Sequence, residues 1–138
     1  MNHSFDLHER LAADCVNLAD WPLCRVLLMN DASYPWLILV PRRPGLREFH
    51  QVDSRDMPQL VGEICDASRA LETLFRPDKI NVGALGNMVP QLHIHLIARF
   101  KSDAAWPGPV WGAQPAVPYE KEGLRARLDA LTAALGAA

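Results

Sequence analysis

The chain has 138 residues, of which 49% are hydrophobic and 22% are charged. This length and balance predict a single globular domain, residues 1–138, with too little chain for two. The formal net charge of −2 excludes a bulk positive field that would attract nucleic acid or an anionic membrane, so any bound anion must be held by local donors.

The N-terminal part of the sequence predicts a helix followed by a β-hairpin. Apolar residues recur at helical spacing over Leu7–Leu18, with Ser4 or Asp6 as a possible cap. Two β-prone runs, Cys24–Met29 and Trp36–Val40, flank a cluster of turn-forming residues. We therefore expect these two runs to pair as neighbouring antiparallel strands.

The remaining sequence predicts a long helix, a second pair of strands and a terminal helix. The long helix is expected over Asp53–Leu74, capped by Asp53 or Ser54. Its apolar stripe consists of Leu60, Val61, Ile64, Cys65, Ala67, Ser68, Leu71 and Leu74. Strands are predicted at Lys79–Leu85 and Pro90–Phe100. Residues 101–118, rich in Pro, Gly and Trp, predict an ordered tail, and Tyr119–Leu135 a final amphipathic helix.

The order of these elements predicts an α+β domain, with a meandering antiparallel sheet and flanking helices, because no βαβ rhythm demands a parallel sheet. Cys15, Cys24 and Cys65 form no CxxC pair, and we interpret all three as core or half-core residues of a cytoplasmic protein. Residues 1–6 show no basic segment leading into an apolar stretch, so we expect no signal peptide. The run Trp36–Val40 is too short to span a bilayer.

Three polar residues alternate with apolar ones in the last predicted strand. Because side chains alternate along a strand, Gln91, His93 and His95 should share one face, and the leucines and isoleucine between them the other. A folding requirement alone does not place imidazoles in such a row. The pattern therefore indicates a site, against the alternative that both histidines are partly exposed residues of an edge strand.

The chemistry of imidazole suggests what this row could do. Imidazole is nucleophilic at neutral pH, so His93 could attack a phosphate and carry it covalently. His95 could donate a hydrogen bond to the phosphate oxygens, and the backbone of the Gly86-Asn87-Met88 turn could add further donors. This scheme requires no metal and no other cofactor.

A metal enzyme is the competing interpretation, since His-x-His on a strand also binds metals. A metal needs a third ligand and usually a fourth. His3, His8 and His50 lie far away in the sequence, in no recognisable ligand spacing, and we expect all three at the surface.

The Gln91–Ile97 run resembles the His-φ-His-φ-His-φ-φ signature of the histidine triad (HIT) proteins, which are nucleotide hydrolases and transferases. Residues 81–89 and 30–41 resemble that family's phosphate loop and ribose-binding strand end. The departure is Gln91, which stands where the family has its first histidine. The resemblance implies a HIT-like fold, with His93 as nucleophile and His95 as the residue that contacts phosphate and assists the leaving group.

The remaining roles also follow from the resemblance. Gln91 would orient the histidines through amide hydrogen bonds, although an amide cannot shuttle protons. Asn30 would bind the ribose. Asn81, Gly86, Asn87 and Met88 would contribute to nucleotide binding. The resemblance also implies a homodimer.

Two clusters leave their roles open in the sequence. Arg42, Arg43 and Arg47 could hold phosphates or form a solvated loop. Trp106–Trp111 could close over a base, reach a partner subunit, or anchor the tail on the core.

The function expected is cleavage of a phosphoanhydride or phosphoramidate bond in a purine nucleotide, as in dinucleoside polyphosphates or nucleoside phosphoramidates, through a covalent nucleotidyl-histidine. Its partner would be a small nucleotide, with no nucleic acid and no membrane. The alternatives are a nucleotide-binding module with weak or no turnover, and the metal enzyme.

Overall fold

The computed structural model describes residues 4–136, which contain five strands, three α-helices and one 3-10 turn. The strands are β1 (Cys15–Asp20), β2 (Cys24–Met29), β3 (Trp36–Pro41), β4 (Lys79–Gly83) and β5 (Ile94–Arg99). The helices are α1 (Glu9–Asp14), α2 (Met57–Phe75) and α3 (Lys121–Leu135), and the 3-10 turn is Phe49–Gln51. All strand pairs are antiparallel, in the order β1-β2-β3-β5-β4. The predicted α+β fold with an antiparallel sheet and flanking helices is confirmed.

The hairpin of β2 and β3 forms as predicted, with Leu27 opposite Ile38 in its register. The turn is held by Asp31, whose carboxylate accepts the Ser33 N–H at 3.0 Å, as short acidic side chains do in turns. Every residue of β3 is buried, because helices cover one face of the sheet and the tail covers the other. A continuous apolar run is what such a doubly covered strand requires.

The helix predicted over Leu7–Leu18 is wrong beyond residue 14. α1 ends at Asp14, and the next six residues form edge strand β1, paired with β2. Cys15 packs against the core on the tail side of the sheet, whereas Leu18 packs against the helix side. Pairing with a neighbouring strand outweighed a weak local helical pattern. The cap is also different: the His8 ring accepts the Arg10 N–H.

Helix α2 differs from the prediction in its start and in its buried face. Residues 53–56 form turns, and Pro58 lies in the first turn of the helix. The buried face includes Glu63, whose carboxylate accepts the Leu23 and Cys24 N–H groups at 2.9 and 2.7 Å. Cys65, predicted to be core or half-core, is exposed. The buried residues of α2 are 60, 63, 67, 70 and 71. They recur at helical spacing, and one of them, Glu63, is acidic.

The two faces of the sheet have separate cores. On the helix side, Leu60 and Leu131 from the helices pack against sheet residues that include Leu96. On the tail side, Trp36 and Ile97 pack with Val110 and other apolar residues of the termini. Within residues 4–136, no helix has the length and apolar character needed to cross a membrane.

Candidate active site

A cavity of about 500 Å³ opens beside the start of β5. Its wall is formed by the N-terminal segment, the loop after β4, the start of β5 and the tail. Its lining includes His8, Arg10, Gly86, Asn87, Met88, His93, His95 and Trp111. Five of the eight predicted site residues therefore line one cavity: both histidines and the three residues of the Gly86-Asn87-Met88 turn.

The alternation predicted for the last strand holds, although the strand begins only at Ile94. Leu92, Ile94 and Leu96 are buried in the helix-side core. His93 and His95 point to the opposite side, with exposures of 6% and 5% and ring centroids 4.8 Å apart. The two imidazoles are thus neighbours in the cavity wall.

The His95 ring is fixed by the indole of Trp36. The Trp36 Nε1–H donates to His95 Nδ1 at 3.0 Å, so the proton of a neutral His95 ring lies on Nε2. Burial, aided by the neighbouring His93, lowers the pKa of His95 from 6.5 to about 3. His95 is therefore a neutral hydrogen-bond donor through Nε2–H.

The His93 ring has the opposite tautomer. Its Nδ1 lies 2.7 Å from the backbone oxygen of Gln91. A carbonyl oxygen only accepts, so Nδ1 carries the proton and Nε2 keeps its lone pair. Burial also lowers the pKa of His93, against the opposing effect of this hydrogen bond. A neutral ring with a free Nε2 lone pair is the nucleophilic form of imidazole.

The Gln91 side chain does not contact either imidazole through a hydrogen bond in the described structure. Its Oε1 accepts the His8 N–H and its Nε2 donates to the Asp6 carbonyl, both at 2.9 Å. The amide was expected to orient the histidines. The backbone carbonyl of Gln91 does that for His93, and the amide binds the N-terminal segment.

Asn30 and Asn81 do not line the cavity and are engaged elsewhere. The Asn30 Oδ1 accepts the Tyr119 N–H at 2.9 Å, at the junction between the tail and α3. The Asn81 Oδ1 accepts from the buried Arg99 guanidinium at 2.8 Å. Both amides therefore support the tail in this structure, and their predicted contact with nucleotide stays a prediction.

Two residues around the imidazoles, His8 and Trp36, were not predicted from the sequence to belong to the site. His8, predicted to lie at the surface, is half-buried and lines the cavity, whereas His50 is exposed and His3 lies outside the described residues. Trp36 was recognised only as part of an apolar run. Nothing in its local sequence indicates the bond to His95, because the two residues are 59 positions apart.

Trp111 lines the cavity and anchors the tail on the core, which is one of the roles that its sequence left open. Its ring lies 5.3 Å from His95 and 6.3 Å from Trp36, both edge to face. A Cβ atom on Gly83 would lie only 3.3 Å from the Trp111 ring, so glycine permits this close packing. Trp111 thereby joins the tail to the face of the sheet that carries His95.

The loop after β4 depends on Gly86, whose φ of +76° is a left-handed conformation that L side chains rarely adopt. The turn brings Asn87 and Met88 to the cavity, and 85% of Met88 is exposed. The turn thus lines the same cavity as the two imidazoles. The three arginines of residues 42–47 make different contacts. Arg42 donates to the Trp21 carbonyl, and Arg43 pairs with Asp56. Arg47 lines a small side cavity that His93 also borders.

Acid is expected to destabilise the fold through His93 and His95. Their pKa values are lowered on folding, to about 3 for His95, so the unfolded chain binds more protons below pH 6.5. For His95, the free energy of unfolding should fall by up to about 1.4 kcal/mol per pH unit as the pH decreases from about 6.5 towards 3. His93 should add a loss in the same direction. Urea unfolding at several pH values between about 6.5 and 4.5, above most carboxylate titration, measures this dependence. The unfolding free energy of His95→Gln should change less with pH than that of the wild type. Equal slopes would contradict this assignment.

Metal ligation by the His-x-His pair lacks further ligands in residues 4–136. In this part of the chain no three side chains from His, Cys, Asp and Glu form a group that could hold a metal ion. Cys15 and Cys24 are poor nucleophiles, because burial raises the pKa of Cys15 to about 12 and that of Cys24 further.

Known proteins provide an independent comparison. The HIT domain matches residues 10–102. A histidine triad protein from Marinobacter aquaeolei VT8 is 50% identical, with a TM-score of 0.94 over 96% of this chain and 97% of its own. One from Bradyrhizobium japonicum is 44% identical, with a TM-score of 0.94 over 97% and 100%. One from Sinorhizobium meliloti 1021 is 41% identical, with a TM-score of 0.91 over 94% and 96%. No curated protein matches the chain. The fold, the paired imidazoles and these likenesses agree: the chain belongs to the HIT domain family.

Proposed function

We propose that this protein is a nucleotide hydrolase or transferase that cleaves a phosphoanhydride or phosphoramidate bond of a purine nucleotide through a covalent intermediate on His93. The observation that carries the proposal is the pair of complementary tautomers. His93 holds a free Nε2 lone pair, and His95 holds an Nε2–H donor beside it. Membership of the HIT domain family supports a nucleotide as the ligand.

The proposed reaction has two steps. The His93 Nε2 lone pair attacks the phosphorus, a phosphorus–nitrogen bond forms, and the bond to the leaving group breaks as that group takes up a proton from water. Water then attacks the same phosphorus, releases the nucleoside monophosphate and its proton, and returns the lone pair to His93. In both steps the His95 Nε2–H donates to a phosphate oxygen as charge develops there.

The position of Gln91 favours one alternative, a nucleotide-binding module with weak turnover. We infer that Gln91 occupies the position of the first histidine of the triad. Both polar atoms of its amide are used by the N-terminal segment, and an amide cannot shuttle protons. Binding without turnover is the result expected if a proton relay through that position is essential.

Trapping the intermediate separates the two readings. The protein is incubated with adenosine 5′-phosphoramidate or diadenosine tetraphosphate, quenched at alkaline pH, and analysed by intact mass and peptide mapping. We expect one adenylyl group on His93, none on His93→Ala, and an unchanged adduct on the exposed control His50→Ala. Product formation without an adduct on His93 would contradict the covalent mechanism, and saturable binding without product would indicate the binding module.

We also propose that the protein is a cytoplasmic homodimer. In the described part of the chain β4 is an edge of the sheet, and its Val82 is 50% exposed. An edge strand with an exposed apolar side chain is a template for pairing with another chain. Cys15, Cys24 and Cys65 are free thiols, which suits a reducing compartment.

A further inference from the structure

His8 reaches the active-site cavity from a part of the sequence unrelated to the histidine motif. It lies 83 positions before Gln91, directly before α1, and its half-buried side chain lines the cavity together with His93 and His95. A histidine side chain used only as a helix cap could equally face solvent. Its place in this wall indicates a role toward whatever binds there.

The N-terminal segment is held in place by the Gln91 side chain. The amide accepts from the His8 N–H and donates to the Asp6 carbonyl, two bonds of 2.9 Å to one stretch of backbone. A carboxylate could accept but not donate, and an apolar side chain could do neither. The residue at the first position of the motif thus fixes the backbone of His8 beside the cavity.

The His8 ring is oriented as well. Its Nδ1 accepts the Arg10 N–H at 3.0 Å, so a neutral His8 carries its proton on Nε2, the same tautomer as His95. Arg10, held by Asp14 at 2.9 Å, borders the same cavity.

We infer that His8 is a third imidazole of the active site, which donates Nε2–H to a phosphate oxygen of the bound nucleotide, and that Gln91 is the residue that positions it. The inference rests on the proposed function. It assigns Gln91 a structural purpose: the position that resembles the family's first histidine binds the segment that supplies a histidine from elsewhere.

The test uses variants that separate the ring from the cap. His8→Asn keeps an acceptor suited to capping the Arg10 N–H, but its side chain is too short to replace the imidazole donor. His8→Ala removes both the cap and the donor. His8→Gln keeps an N–H donor on a longer side chain than that of asparagine. Affinity for AMP is measured by calorimetry, and kcat/KM with adenosine 5′-phosphoramidate. His50→Ala is the exposed control, and thermal unfolding monitors the fold.

We expect His8→Asn and His8→Ala to weaken AMP binding by about tenfold or more, the effect of one hydrogen bond to a charged group, and His8→Gln to recover part of it. Gln91→Ala should cause a similar loss. His8→Ala/Gln91→Ala should be no worse than either variant alone, because both remove one interaction.

Three outcomes would overturn the inference. AMP affinity of His8→Asn and His8→Ala within about twofold of wild type would exclude His8 from the site. Additive losses in the double variant would exclude positioning by Gln91. A wild-type protein that binds no AMP would overturn the inference together with the nucleotide site. If His93→Ala alone keeps its activity, the covalent mechanism fails, while loss of AMP affinity in the His8 variants would still place His8 in the binding site.

Discussion

Replacing His93 with alanine should lower kcat by about a thousandfold or more while leaving nucleotide binding largely intact. The free Nε2 lone pair of His93 is the proposed nucleophile, and no other group in the wall has that form: His95 is held with its proton on Nε2 by Trp36. Removing the nucleophile leaves only the part of the rate enhancement that comes from binding and charge stabilisation. Steady-state kinetics and AMP calorimetry on the same preparation measure both quantities.

The matched control is His50→Ala, which removes an exposed imidazole that does not line the cavity and should leave kcat unchanged. If His93→Ala retains more than about a tenth of wild-type kcat, a loss below about 1.4 kcal/mol in the barrier, then His93 is not the nucleophile. Loss of AMP affinity parallel to the loss of kcat would instead indicate that His93 mainly binds the phosphate.

The sequence was sufficient to predict the central strand of the site, because its information is local. Side-chain alternation alone places His93 and His95 on one face and Leu92, Ile94 and Leu96 in the core. Fold class followed from the same kind of local periodicity in β2, β3 and α2. Gly86 also signalled its turn, since its left-handed φ is a property of glycine itself.

The sequence did not predict contacts made between distant segments. Trp36 fixes the tautomer of His95 across 59 positions, and Gln91 holds His8 across 83. A local pattern carries no signal of such pairs. The same limit explains why β1 was predicted to be helical. Its pairing with the more distant β2 outweighs the local helical pattern, which is correct only for α1.

A charged residue inside an apolar strand could have been a clue to one further feature of the fold. Arg99 ends β5, yet it is only 2% exposed. Its guanidinium donates to the Asp103 carboxylate at 2.8 and 3.0 Å and to the Gly108 carbonyl at 2.8 Å. The guanidinium also donates to Asn81 Oδ1 on β4, so one buried cation links β4, β5 and the tail. The hydrogen bonds that Asp103 accepts, chiefly from Arg99 and also from the Phe100 and Trp106 N–H groups, lower the pKa of its carboxyl to about 2.

Arg99→Met should reduce the free energy of unfolding by about 3–5 kcal/mol, because it leaves the Asp103 carboxylate, only 4% exposed, without its cation. Arg69→Met is the matched control: its pair with Asp66 has side chains 69% and 65% exposed and should change stability by no more than about 0.5 kcal/mol. Urea unfolding at neutral pH measures both. Removing the orphaned charge with Arg99→Met/Asp103→Leu should recover part of the loss.

The same substitution should also weaken nucleotide binding, since Arg99 holds the start of the tail that carries Trp111 to the cavity wall. AMP affinity should fall in Arg99→Met and stay at the wild-type level in Arg69→Met, at a temperature where both variants are folded. A stability loss below about 1 kcal/mol would mean that the backbone N–H groups of Phe100, Ala105 and Trp106, which also donate to Asp103, satisfy that carboxylate without the guanidinium. If Arg99→Met shows the whole expected loss of stability but binds AMP with unchanged affinity, then Trp36 and Gly83 hold Trp111 in place independently of the arginine.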